Sequence, residues 1–208
     1  MNEQATKTIL VVGNDKIGAR AMAEACAPDV KVFLDCSSSL GRVFRLIVKR
    51  RIRLGLVLKM FLAELKRPRV ERRVKIAGEI RSNKDLLAVL SEYSPERVVL
   101  FRAGLIINKS VIASGIPLMN IHCAQVPEYG GLGSIDRALR DGAYTQEATL
   151  HQVTVSIDEG EVYDTESYEM DGNMSYSENE NRAYEAGIEL LKRTLRGFCN
   201  KTEQNIAQ

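Results

Sequence analysis

Residues 8–12, Thr-Ile-Leu-Val-Val, form an unbroken apolar, mostly β-branched run that stops at Gly13. A strand apolar at every position has no face to give to water, so it belongs inside a parallel sheet covered on both sides. An Ala-rich helix over 17–27 and a second strand over 30–34 follow, and strand, glycine, helix, strand is the opening of an α/β domain. The rest continues the alternation. A short strand at 74–76 leads to a helix ending at Tyr93, capped by Ser82 or Asn83, with Leu86, Leu87 and Leu90 on one face. A central strand at 97–101, a short helix at 109–114 and an apolar strand ending near residue 122 come next. Ser134 caps a helix to Arg140, and Gly142 stops it. Strands at 148–157 and 162–169 precede a long helix from 178 to about 198 with Ser177 as its cap; the polar tail from 200 reads as frayed. The expected fold class is α/β: a doubly wound, mostly parallel sheet in one domain spanning 1–208.

Between the second and third strands lies the least typical part. Residues 42–75 hold thirteen Lys or Arg against two acids, Glu64 and Glu71, a local charge of +11. The whole chain carries +2, so the remainder carries −9. Apolar residues at three- and four-residue spacing run through the segment, which reads as one or two amphipathic helices inserted in or lengthening the domain, with Pro68 as a stop. Two readings stay open. One is a solvated basic face on a helix packed against the sheet. The other is a dock for something anionic: a nucleotide diphosphate, a membrane surface or a partner protein. No nucleic acid partner is expected.

No run of 18 uncharged apolar residues is present, so no spanning helix is expected. The start, Met-Asn-Glu-Gln, lacks the order of a signal peptide. Cys26, Cys36, Cys123 and Cys199 show no CxxC spacing, which argues against a zinc site and a disulfide framework and fits a reducing cytoplasm. The loop Gly13-Asn14-Asp15-Lys16-Ile17-Gly18 is neither of the familiar phosphate-binding patterns and reads as a tight βα turn.

The chemistry is concentrated in residues 118–158, which contain both histidines of the chain. Asn120 and His122 are two apart at a strand end, so they share a face. A Gly-rich loop follows, Pro127-Glu128-Tyr129-Gly130-Gly131-Leu132-Gly133, and a later strand-like run leads to Asp158 and Gly160. An amide, an imidazole and a carboxylate converging at strand ends suit acyl transfer. His151, within the second run, reads as structural or as a support behind the site. Cys123 adjoins His122 but points to the opposite face, which sets it aside as a nucleophile.

Asn-x-His, the Pro-x-Tyr-x-Gly-Leu loop, a helix, then His-x6-Asp-x-Gly resembles the folate-dependent formyltransferases over residues 97–162. These have a Rossmann-like catalytic domain and include glycinamide ribonucleotide, methionyl-tRNA and sugar N-formyltransferases. The resemblance implies 10-formyltetrahydrofolate as formyl donor and no metal. It implies that Asn120 and His122 donate to the developing oxyanion. Asp158 would orient or charge His122, raising its pKa, and take up the amine proton. It further implies that Ala103, Gly104, Leu105 and Ile106 lie beside the pterin, with Val153, Thr154 and Ile157 lining the pocket through backbone groups. Two departures are visible: Cys123 where Pro is common, and Gly130 where many members have Arg. Gly13-Asn14-Asp15 replaces the Gly-Ser-Asn loop that holds the ribose phosphate in the glycinamide ribonucleotide enzymes, and would put a carboxylate near a phosphate. The methionyl-tRNA enzymes add a C-terminal domain, whereas this chain ends after one helix. Both points favour a small amine acceptor, a sugar nucleotide, with the basic segment available for its diphosphate. The alternatives are a binding module of the same fold without turnover and a glycinamide ribonucleotide formyltransferase. The oligomeric state is left open.

Overall fold

The structure, a computed structural model, describes residues 7–25, 27, 29–37, 48, 53–71 and 74–206 of the 208. Its strands are β1 (Thr8–Gly13), β2 (Val30–Asp35), β3 (Ile76–Ile80), β4 (Arg97–Phe101), β5 (Leu118–His122), β6 (Thr145–Gln152) and β7 (Val162–Glu169). Its helices are α1 (Lys16–Ala25), α2 (Leu54–Lys66), α3 (Asn83–Tyr93), α4 (Lys109–Ile112), α5 (Ser134–Asp141) and α6 (Tyr176–Ile206). The strands form one sheet in the order β3-β2-β1-β4-β5-β6-β7. The first five run parallel, and β6 and β7 are antiparallel additions. This is the doubly wound, mostly parallel α/β sheet that the apolar runs predict.

Both faces of the central strands are buried because alternate residues serve two cores. Leu10, Val12, Val99, Phe101, Met119 and Ile121 pack with α1 and α6. Ile9, Val11, Val98, Leu100 and Leu118 pack with Leu86 and Leu90 of α3 and Val111 of α4. Asn120 and His122 alternate with Met119 and Ile121 along β5. Their side chains therefore leave the sheet on the second face, at its carboxyl end.

Several boundaries differ from the sequence reading. α1 spans Lys16–Ala25 rather than 17–27, and α4 ends at Ile112 rather than residue 114. β3 is Ile76–Ile80 rather than 74–76; Gly78, which hid it, leaves room for the Phe33 ring, 3.2 Å from where a Cβ would sit. β6 begins at Thr145 and ends at Gln152, so residues 153–157 form a loop. The cap of α5 is Gly133 at φ 71°, and the cap of α6 is Ser175, not Ser177. Ser175 Oγ accepts the Glu178 N–H while the Glu178 carboxylate accepts the Ser175 N–H, a reciprocal box. α6 remains helical to Ile206 where a frayed tail was expected from residue 200.

The basic segment also departs from expectation. Residues 42–47, 49–52, 72 and 73 lie outside the described residues. The described part is α2, which packs against α6, and its buried residues, Leu56 and Ala63, belong to neither sheet core. The face it turns outward is apolar, not basic. It is held by ions: Arg67 pairs with Glu180 of α6 and with Glu64 at 3.1 Å, and Glu64 also accepts the Lys16 N–H at 2.9 Å.

Candidate active site

The site is assembled at the carboxyl end of β5. Asn120 lies in register opposite His151 of β6, and His122 opposite Thr149. His151 is buried, and its Nδ1 is 2.9 Å from the Gln152 carbonyl, which can only accept. Nδ1 therefore carries the hydrogen, and Nε2 presents a lone pair to the Asn120 amide at 3.1 Å. That contact fixes which end of the amide faces His151. One Asn120 N–H is thereby used. The second approaches Asp158 Oδ1 at 3.4 Å, a long contact that a substrate oxygen can replace.

Asp158 arrives from the β6–β7 loop with φ at 55°, a left-handed conformation that aspartate tolerates better than most residues. Its Oδ2 accepts the Gly131 N–H at 2.7 Å and lies 3.4 Å from His122 Nδ1; its Oδ1 lies 3.4 Å from His151 Nε2. Two glycines permit this docking. A Cβ at Gly160 would fall 1.9 Å from the Gln152 carbonyl oxygen, and one at Gly130 would fall 3.0 Å from the Asp158 Cβ. A side chain at position 130 would therefore need Asp158 to give by a few tenths of an ångström. Burial pushes the Asp158 carboxyl up, but at the acid pH where it titrates a protonated His151 donates to it, and with the charge on His122 and the Gly131 N–H this brings the pKa down to about 2.

His122 sits between two acceptors, the Tyr129 carbonyl 3.0 Å from Nε2 and Asp158 at Nδ1. Burial is the largest influence and holds its pKa below the ordinary value; Asp158 and the Tyr129 carbonyl pull upward without making up the difference. This corrects the expectation that the carboxylate would raise the pKa and favour the charged ring. Either neutral tautomer leaves one ring lone pair facing an acceptor, so the imidazole retains a place for a proton.

Of the three residues singled out in the sequence, Asn120 and His122 thus each lie 3.4 Å from Asp158. A family model for formyl transferases matches residues 2–195. The chain belongs to that family. Among curated formyltransferases, the methionyl-tRNA formyltransferase of Caldicellulosiruptor saccharolyticus is 28% identical over 124 residues, 58% of this chain and 39% of its own length. That of Clostridium tetani is 24% identical over 145 residues, covering 67% and 46%. The chain spans about two fifths of the curated relatives it matches. Phosphoribosylglycinamide formyltransferase from Anaplasma phagocytophilum superposes with a TM-score of 0.65 at 14% identity, over 91% of this chain and 84% of that one. A 4-N formyltransferase from Francisella tularensis gives 0.65 at 16%, over 95% and 71%. These likenesses establish a formyltransferase fold.

The loops expected beside the folate flank the trio's side of the sheet. Ala103, Leu105 and Val153 pack on the second core, while Ile106 and Ile157 are exposed. Gly104 and Leu105 donate their N–H groups to Asp35, a buried carboxylate at the end of β2, and Asn83 donates to the Ile106 carbonyl at 2.9 Å. The Val153 N–H donates to Leu118, and Thr154 Oγ1 to the Ser156 carbonyl. The loops are therefore pinned by the protein, and those particular donors are already engaged. Asp35 was missed in the sequence because it reads as an ordinary strand terminus. Arg137 of α5 was missed as well: it donates to the Gly130 carbonyl, and its Nε is buried with no hydrogen-bond partner among the described residues. Only its place in the fold brings it to the loop. Cys123 lies on the other side, where a Cβ on Gly187 of α6 would fall 2.6 Å from its Sγ, and burial pushes its thiol up to about 12.

Asp15 is engaged within the chain. It accepts the Gly18 N–H at 2.7 Å and pairs with Arg102, which also reaches Tyr184 and so Glu180 and Arg67. With Glu64 on the Lys16 N–H, two N–H groups of the first turn of α1 are taken by carboxylates of the chain itself.

Proposed function

We propose that the protein is an N-formyltransferase that moves a formyl group from 10-formyltetrahydrofolate to the amine of an amino-sugar nucleotide. The observation that carries the transfer chemistry is the convergence of Asn120, His122 and Asp158 at the carboxyl end of a parallel sheet in a chain of this family. When bound, the donor supplies the formyl group, with Ala103, Gly104, Leu105, Ile106, Val153, Thr154 and Ile157 bordering its pterin. The second Asn120 N–H donates to the formyl oxygen as charge gathers there, and one such donor is worth ~3 kcal/mol of barrier. His122 is the second donor, with that oxygen replacing the Tyr129 carbonyl as its partner. A carboxyl held near 2 is a poor proton acceptor at neutral pH, so Asp158 acts mainly by orienting His122, and as the amine attacks the formyl carbon the proton it loses passes by way of the His122 ring to the departing folate nitrogen. The setting is the cytoplasm, which suits the unpaired Cys36 and Cys123.

The acceptor follows from the first turn of α1. Helix N-termini bind phosphate through unsatisfied N–H groups. Here Glu64 and Asp15 take two of those groups, which disfavours a ribose phosphate at that place and so a purine substrate. The test is tetrahydrofolate release over a panel of amino-sugar nucleotides, glycinamide ribonucleotide and initiator methionyl-tRNA. Release with a sugar nucleotide is expected. Turnover confined to either of the others would reassign the acceptor, and folate binding without release across the panel would make this a binding module.

A further inference from the structure

An ordinary surface helix turns its apolar stripe to the core and its charges to water. α2 does the reverse. Leu54, Leu58, Phe61, Leu62 and Leu65 fall at i, i+4, i+7, i+8 and i+11, a single stripe, and are 68, 56, 59, 46 and 60% exposed. The opposite side is anchored along its length. Leu56 reaches toward Gly133, Lys59 pairs with Asp136 at 3.3 Å, Glu64 takes the Lys16 N–H, and Arg67 following the helix pairs with buried Glu180. Rolling the helix to hide the stripe would break the Arg67–Glu180 pair and leave a buried charge alone. The rim of the stripe is cationic: Arg53, Lys66 and Arg69 are exposed, and the one acid of residues 53–69, Glu64, is turned inward.

This combination selects among occupants. A second copy laid on the stripe would set like-charged rims against each other. The five side chains, each about half exposed, offer roughly 500 Å² at about 150–250 Å² per large side chain. That is below the ~800 Å² per partner of a stable interface. Nucleic acid would meet leucine and phenylalanine where it needs cations. An anionic lipid surface satisfies both parts, taking the apolar side chains at the acyl boundary and the Lys and Arg at its headgroups. We propose that α2 docks the protein peripherally on an anionic membrane surface. On the anchored side of α2, Leu56 packs toward Gly133, which caps α5 at the end of the site loop. The proposal does not depend on which amine is formylated.

The test is co-sedimentation with phosphatidylcholine vesicles containing about one third phosphatidylglycerol, against phosphatidylcholine alone, at low and high salt. Binding to the anionic vesicles only, weakened by salt, is expected. Leu58→Ser/Phe61→Ser should lower partitioning at least about tenfold. Lys66→Glu/Arg69→Glu should do likewise, and both should melt as the parent does because the positions are exposed. The chain has no tryptophan, so Phe61→Trp gives a single reporter whose emission should shift to the blue on anionic vesicles. No sedimentation of the parent at low salt, or no emission shift in Phe61→Trp, overturns the proposal. So does a concentration-dependent dimer that Leu58→Ser/Phe61→Ser abolishes, which would assign the stripe to a second copy.

Discussion

Asp158→Asn separates charge from shape at the centre of the site. Asparagine is nearly isosteric, keeps an oxygen for the Gly131 N–H, and tolerates the left-handed backbone at φ 55°, so the substitution adds little strain. What it removes is the negative charge. The folded carboxyl has its pKa lowered from 3.8 to about 2. At about 1.4 kcal/mol per pKa unit, the charge contributes roughly 2 kcal/mol to stability at neutral pH. A lowered carboxyl pKa stabilises the fold at every pH above the ordinary value, and the contribution drains away as pH falls from 3.8 toward 2. Urea denaturation should therefore show a midpoint lower by about 1 M at pH 7. The gap between parent and variant should widen modestly as pH falls through the titration of His122 and then shrink by about half between pH 5 and pH 3. The same change removes an upward pull on His122, so its NMR titration should move to lower pH. Formyl transfer should fall roughly a hundredfold with folate affinity kept. Equal midpoints at pH 7, or a His122 titration that moves up, would refute the electrostatic account.

Asn120→Ala and His122→Ala should each cut turnover roughly a hundredfold or more while folate binding changes little; near-normal turnover in His122→Ala would remove it from the mechanism. Arg67→Met should destabilise the protein by about 3–5 kcal/mol, because it strands the buried Glu180 carboxylate, and the loss is read directly from denaturation curves. Cys123 should resist alkylation in the native protein because burial holds it as a thiol, and peptide mapping that finds it modified as fast as in urea would show the site to be open.

The layout of the sheet was legible because strand and helix signals are local. The run at 8–12 could only be a doubly covered strand, and Asn120 and His122 are brought together by the two-residue period of β5 itself. Gly160, two residues beyond Asp158, was readable as a turn, although the reason for it, the Gln152 carbonyl 1.9 Å from any Cβ, was not. What only the tertiary structure decided are contacts between distant parts of the chain. Glu64 reaches Lys16 across 48 residues, and Arg67 reaches Glu180 across 113. Asp35 pins Gly104 across 69. The pKa of His122 turned on burial, which no neighbour in sequence reveals. The orientation of α2 is the sharpest case. Its sequence shows an apolar stripe and cations, and amphipathic spacing alone cannot say which side faces the protein. The ion pair of Arg67 with buried Glu180 marks the anchored side of the helix and leaves its leucines and Phe61 turned outward, an arrangement that only contacts with α6 could reveal.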